Sequence, residues 1–158
     1  MKRLSFLLIL INVMFMFTST SVFSQTPPLK VAWKKGIIIG LIVPSTTTKK
    51  QLTDLIYTFR QAKKEKTLST LIPPINLGLT DKYTTFIIFI FSDPKWATSE
   101  KYDNYESASI KTAKGRAISK AYIDHIIASY EYDIDGKEYG ALGYDEGGDK
   151  SVHYKKLF

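Results

Sequence analysis

The chain contains no cysteine, and its three methionines all lie within the first sixteen residues. The absence of cysteine excludes a disulfide framework, a thiol nucleophile and a thiolate metal site. It also excludes lipid attachment at an N-terminal cysteine. Beyond residue 16 the chain has no sulfur-containing side chain that could enter the common oxidation reactions. This composition is compatible with an oxidising compartment.

Histidine is almost as scarce, with only His125 and His153 present. A zinc site needs at least three well-placed ligands, and neither histidine has a second one two or four residues away. His125 is predicted in mid-strand beside Asp124, so the two side chains would point to opposite faces. We therefore expect His125 to be a structural or surface residue.

Recognisable catalytic motifs are missing as well. The sequence has no Gly-x-Ser-x-Gly elbow, no phosphate-binding glycine loop and no His-Glu-x-x-His zinc motif. A carboxylate pair for glycoside hydrolysis stays open, because its two members can lie far apart in sequence. The sequence thus predicts no catalytic residue and no cofactor.

The N-terminus has the layout of a bacterial secretory signal peptide. Lys2 and Arg3 precede an apolar run over Leu4–Phe17, and Val22-Phe23-Ser24 places small or modest residues before a cut at Gln25. The run is short for a membrane span of ~20 residues, although an uncleaved anchor is the alternative. We predict a signal peptide over 1–24 and a protein exported to the periplasm or beyond, with no integral membrane span after cleavage.

The remaining residues, 25–158, have the size of one globular domain. Loss of Lys2 and Arg3 lowers the formal net charge from +7 to +5. A basic chain with ten tyrosines would indicate nucleic acid in a cytosolic protein, but export argues against that partner. Anionic lipid headgroups, acidic glycans and a protein partner remain open.

Three strong local patterns occupy the first half of this domain. The apolar run Gly36–Val43 predicts a buried strand, with a turn at Lys34-Lys35 before it. Thr48 and Gln51 have capping-box spacing, and apolar residues then recur at helical period to Lys64. The run Tyr83–Phe91 is rich in aromatic and β-branched residues and predicts a central, covered strand.

The second half is predicted to hold a short helix and a hairpin. Asp93-Pro94 is a typical helix start, and Trp96 is expected to anchor that helix on the core. Residues 99–120 permit a further helix. Strands are predicted over Tyr122–Tyr132 and Lys137–Tyr144, joined by a turn at Asp133–Gly136.

This order of elements predicts an α/β two-layer sandwich. The mixed sheet would have about four strands, made of one βαβ unit and the C-terminal hairpin, with helices mainly on one face. No repeat or linker divides the domain.

Two acidic loops raise the question of a cation. Asp133 and Asp135 precede Gly136, as in calcium loops, but Glu131 and Leu142 stand at the ends where such a loop needs ligands. Asp145, Glu146 and Asp149 could share a cation with them. A hairpin turn that uses Asp and Gly for their backbone preferences is the favoured interpretation, so Asp133 and Asp135 are weak metal candidates only.

Aromatic residues provide the candidate binding surface. Tyrosine combines contact area with a hydrogen bond and is enriched where proteins recognise partners. On predicted strands, Tyr122, Tyr130 and Tyr132 would share one face, although the favoured alternative is that the tyrosines cover a helix or pair across the hairpin. The candidate binding residues are Tyr122, Tyr130, Tyr132, Tyr139, Tyr144 and Trp96.

The sequence therefore predicts an exported, non-enzymatic binding module whose partner is an envelope or extracellular protein. Two alternatives stay open. One is a small secreted hydrolase that uses carboxylates or His125 as general acid and base. The other is a domain that binds a glycan or a lipid.

Overall fold

The computed structural model describes residues 26–72 and 85–158. Within these residues the chain forms eight strands and four helices. In chain order they are β1 (Lys30–Lys35), β2 (Ile38–Ile42), α1 (Lys49–Lys64), α2 (Leu68–Leu71), β3 (Phe86–Phe91), α3 (Ser99–Glu106), α4 (Ala113–Ile123), β4 (Ala128–Tyr132), β5 (Glu138–Leu142), β6 (Asp145–Glu146), β7 (Asp149–Lys150) and β8 (Lys155–Lys156).

Six strands form one mixed sheet in the order β1-β2-β3-β4-β5-β8, and β6 pairs with β7 in a separate hairpin. Strands β2 and β3 are parallel, which confirms the predicted strand–helix–strand unit. The other neighbours in the sheet are antiparallel. The sheet is larger than the predicted four strands because β1 and β8 extend it at its two edges.

The edge strand β1 includes Lys34 and Lys35, which were predicted to form a turn. Lys34 and Lys35 lie within β1 and pair with β2. The turn comes at Gly36, whose φ of +55° favours glycine. Lysines on an edge strand discourage pairing with another chain, so their charge is compatible with a strand at this position.

Helix α1 confirms the predicted capping box. The Gln51 backbone N–H donates to Thr48 Oγ1 at 3.2 Å, and the Thr48 N–H donates to Gln51 Oε1 at 2.9 Å. Its predicted apolar stripe is buried, and consists of Leu52, Leu55, Ile56, Phe59 and Ala62. The helix is thus defined locally by its cap and held to the sheet by one face.

Helices cover both faces of the sheet. Successive residues of β3 point to opposite sides, and its apolar side chains therefore need cover on each face. On the first side, here called the front face, Phe86, Ile88 and Ile90 pack with the stripe of α1. On the opposite side, the back face, Phe89 and Phe91 pack with side chains of α3 and α4. The expected packing of helices mainly on one face is therefore not what the structure has.

The strand predicted over Tyr122–Tyr132 is wrong in its first half. Helix α4 continues to Ile123, and β4 begins only at Ala128. Thr112 caps the helix by accepting the Gly115 N–H at 3.0 Å. Gly115 is needed there, since a Cβ would lie 1.9 Å from the Ser109 carbonyl oxygen.

The predicted C-terminal hairpin is present, with a shorter first strand than predicted. Strands β4 and β5 pair with Glu131 opposite Tyr139. Asp133 closes the turn by accepting the Lys137 N–H at 2.8 Å. Asp93, expected to begin a helix, instead accepts the Lys95 N–H in a turn, and helix α3 begins one turn later with Thr98 as its cap.

Some predictions lie outside the described residues. They are the signal peptide over 1–24, residues 73–81 of the predicted loop, and the first two residues of the strand predicted at Tyr83. Among the helices that the structure describes, none has both the length and the apolar character needed to cross a bilayer.

The capping box of α1 gives the first testable prediction. Thr48→Ala removes the acceptor of the Gln51 N–H, and we expect it to lower the free energy of unfolding by about 1 kcal/mol. The measurement is urea denaturation followed by circular dichroism. Thr46→Ala is the control, because Thr46 is exposed and forms no hydrogen bond in the described structure. Equal losses from both variants would contradict the role of the cap.

Candidate binding groove

A groove of about 430 Å³ opens on the back face where β4 and β5 pair. We call it the β4–β5 groove. Its lining includes Ser129, Glu131, Tyr139, Tyr144, Asp145 and Tyr154, and none of its lining residues belongs to a helix.

The groove exists because the back-face helices cover only part of the sheet. Tyr122 of α4 packs on Phe89 and Phe91 of β3, at centroid distances of 6.5 and 5.7 Å. Tyr144 contacts Phe89 edge-on at 4.8 Å and marks the border of this covered region. Beyond Tyr144, the back-face side chains of β4 and β5 face the groove.

The β6–β7 hairpin forms one wall of the groove. The Ser119 hydroxyl of α4 donates to the Glu146 carboxylate at 3.3 Å. At the base of the hairpin, the Ser151 N–H donates to the Tyr144 carbonyl at 2.8 Å. This wall is therefore fixed to helix α4 and to the chain that follows β5.

Glu131 is the most perturbed carboxylate of the groove. Burial raises the pKa of its carboxyl group above the ordinary value, and the negative charge of Asp133 raises it further. In the part of the chain that the structure describes, no donor or cation pairs with this carboxylate. Glu131 thus presents a partly desolvated negative charge to whatever enters the groove.

Two tyrosines border this charge. The Tyr139 hydroxyl donates to Asp133 Oδ2 at 3.3 Å, and the Tyr139 side chain remains 41% exposed. Burial raises the pKa of Tyr144, and the charges of Glu131 and Glu146 add to the effect. Both phenols therefore stay protonated at neutral pH and can donate or accept hydrogen bonds.

The structure separates the six predicted aromatic residues into three groups. Tyr139 and Tyr144 lie in the β4–β5 groove. Tyr122 and Tyr130 are 1% and 0% exposed and belong to the core on opposite faces. Tyr122 also lies in helix α4, so the prediction that it shares a strand face with Tyr130 and Tyr132 is wrong.

The remaining two predicted aromatic residues lie away from the groove. Tyr132 shares the front face with Tyr130, where it stacks on Phe86 at 5.9 Å. Trp96 stacks on His125 at 3.9 Å. His125 follows α4 in a turn and is not in a strand, because the helix extends farther than the sequence pattern indicated.

The weak metal candidates have structural partners. Asp133 uses one oxygen for the Lys137 N–H and the other for the Tyr139 hydroxyl. Asp135 lies 3.9 Å from the Lys137 ammonium. The described residues contain no group of three or more side chains that could hold a metal ion. Asp133 therefore acts as part of the hairpin turn.

No local motif marks Glu131 or Tyr154 as a binding residue, although the charge pattern of this region differs from that of the whole chain. Seven of the fifteen acidic residues lie between Glu131 and Asp149, against one lysine, Lys137. The chain as a whole is basic, so this segment reverses the overall sign of charge. Such segregation marks a surface with its own electrostatic preference.

The raised pKa of Glu131 gives a prediction on stability. A group whose pKa is raised on folding favours the folded state only while it is protonated, so stability falls as pH rises through the folded-state pKa. We expect Glu131→Gln to be more stable than the natural chain at pH 7.5, with the difference shrinking at pH 4. The measurement is the melting temperature at both pH values.

Glu100→Gln is the control, because it removes the same charge at an exposed position outside the groove, in the first turn of α3. The helix dipole favours a carboxylate there, so this variant should lose up to about 1 kcal/mol at pH 7.5 and gain nothing. A destabilised Glu131→Gln variant at pH 7.5 would mean that the Glu131 carboxylate is stabilised in the folded protein. The electrostatic description of the groove would then be wrong.

Comparison with known proteins identifies no similar protein. No protein-family model matches the chain, and neither a curated protein nor a solved structure matches it. The mixed sheet, its two helical layers and the β4–β5 groove are therefore the observations from which a function can be inferred. Among them, the groove is the place where exposed aromatic rings and an unpaired carboxylate meet.

Proposed function

We propose that the protein is a non-enzymatic binding module that recognises a protein partner through the β4–β5 groove. The observation that supports this most is the part of the back face that no helix covers, because tyrosine rings and carboxylates line it. Tyrosine supplies rigid contact area together with a hydrogen-bonding group, which suits a recognition surface. The groove volume of about 430 Å³ is sufficient for side chains of a partner.

The charge of the groove favours a basic segment of that partner. Glu131, Asp133 and Asp145 line the groove, and Lys156 is the one cation among the lining residues. Lys150 stands nearby, 3.9 Å from Asp145. The balance stays negative, and complementary charge both steers a partner and excludes acidic competitors. An acidic glycan or an anionic lipid surface is disfavoured at this site for the same reason.

Export of the protein is part of the proposal. The support is the sequence pattern of Lys2, Arg3 and the apolar run Leu4–Phe17. An exported binding module would meet its partner in the periplasm or outside the cell. A protein without cysteine suits either place.

A second candidate function is a small hydrolase. The observation in its favour is Glu131, a carboxyl group with a raised pKa beside Asp133 in a groove, as expected for a general acid. His125 does not support it, because its Nδ1 lies 2.7 Å from the Ala121 carbonyl oxygen and its ring stacks on Trp96, outside the groove. This candidate requires turnover that depends on the Glu131 carboxyl group.

Capture of the partner by groove variants tests the proposal. Tyr139→Ala removes an exposed ring from the groove, and we expect at least about a fivefold loss of partner recovery, as is usual for a central aromatic contact. Ile110→Ala is the control, because Ile110 is a large exposed apolar side chain in the turn before α4 and does not line the groove. Recovery is quantified by mass spectrometry after mild cross-linking in the native host. Equal recovery with both variants would contradict the site.

The N-terminus of the protein recovered from its host tests export. We expect the chain to begin at Gln25 and to be found in the envelope or medium fraction, since Val22-Phe23-Ser24 fits a cleavage site. Peptide mapping gives the first residue directly. Recovery of the chain in the cytosol, beginning at Met1 or Lys2, would contradict export while leaving the groove unaffected.

A further inference from the structure

A second pocket, of about 500 Å³, lies between α3 and α4 and is separate from the β4–β5 groove. We call it the α3–α4 pocket. Its apolar wall consists of Ala117, Ile118 and Ala121 of α4 together with the ring of Trp96. A pocket of this size with an apolar wall and few polar groups is typical of small-molecule sites.

Stacking on His125 holds the Trp96 ring in place. It stacks on His125 with an interplanar angle of 14°, and the His125 Nδ1 lies 2.7 Å from the Ala121 carbonyl oxygen. The half-buried indole is therefore a fixed surface on which an apolar or aromatic group can stack.

The polar residues of the α3–α4 pocket are cationic or neutral. Lys101 and Lys114 line it, and no carboxylate does. The Lys101 ammonium lies 5.1 Å from the centre of the Trp96 ring. Neither lysine forms an ion pair in the described part of the chain, whereas the nearby Lys120 and Lys35 pair with Asp124 and Asp103. The pocket thus keeps two uncompensated positive charges beside an apolar wall.

One further side chain offers hydrogen bonds. The Asn104 amide lines the pocket and can both donate and accept. Tyr122 also belongs to the lining, but its side chain is 1% exposed and packs in the core.

We propose that the α3–α4 pocket binds a small organic anion, with an apolar or aromatic body on Trp96 and an acidic group held by Lys101 and Lys114. The charge of this site is opposite to that of the β4–β5 groove. The ligand therefore differs in class from the basic protein segment proposed for the groove. The two proposals are independent, because the two sites share no lining residue.

A pair of fluorescent probes isolates the contribution of the acidic group. 8-Anilinonaphthalene-1-sulfonate carries a sulfonate, and N-phenyl-1-naphthylamine has the same ring body without it. In titrations of the folded natural chain we expect saturable binding of the sulfonate, about three- to tenfold tighter than that of the neutral probe. Absence of saturable sulfonate binding, or equal affinities, would overturn the proposal.

Lysine variants locate the binding. We expect Lys101→Gln combined with Lys114→Gln to reduce sulfonate affinity to that of the neutral probe. Lys49→Gln combined with Lys64→Gln removes the same charge from exposed positions of α1 and should leave the affinity unchanged. Circular dichroism establishes that both double variants are folded. Equal effects of the two double variants would show nonspecific attraction and overturn the site.

Trp96 reports contact directly, because the chain has only one other tryptophan, Trp33, which is 6% exposed. Acrylamide quenches exposed indole emission, and we expect bound sulfonate to reduce that quenching in the natural chain. Trp96→Phe should remove most of the quenchable emission, which identifies Trp96 as its source. Sulfonate binding that leaves the quenching of Trp96 unchanged would place the probe elsewhere and overturn the proposal.

Discussion

Burial of β3 on both of its faces is the constraint on which the rest of the fold depends. Five of the six residues in Phe86–Phe91 are fully buried, and a strand of this composition left open would promote aggregation. Parallel pairing with β2 on one side and antiparallel pairing with β4 on the other places β3 inside the sheet. The two helical layers then shield its alternating side chains, α1 on the front face and α3 with α4 on the back face.

The two helical layers do not extend equally far across the sheet. Helix α1 reaches β4 and β5 on the front face, where the Arg60 guanidinium donates to the Glu138 carboxylate at 2.8 Å. On the back face the cover stops at Tyr144, and Glu131 is left partly desolvated without a donor in the described structure. An unpaired carboxylate that reduces stability is characteristic of a functional surface. The proposed function follows from this difference in cover.

Local signals in the sequence predicted the elements that local interactions define. The Thr48–Gln51 cap, the run of β3 and the Asp133–Gly136 turn all have the predicted form. The apolar and aromatic sequence around Tyr122 favours a strand. In the structure Tyr122 lies in α4 and packs on Phe89 and Phe91. Of the six candidate binding residues, only Tyr139 and Tyr144 line the groove. Glu131 and Tyr154 depend on strand register and on the path of the chain after β5, which no short-range pattern specifies.

The most direct test of the central claim places a photoreactive side chain in the groove. p-Benzoylphenylalanine replaces Tyr139 in one protein and the exposed Ile110, which does not line the groove, in another, and both are irradiated in the native host. The account predicts one discrete adduct with a protein from position 139 and none from position 110. An adduct from position 110 alone, or none from either folded protein, would contradict the assignment of the β4–β5 groove as the recognition surface.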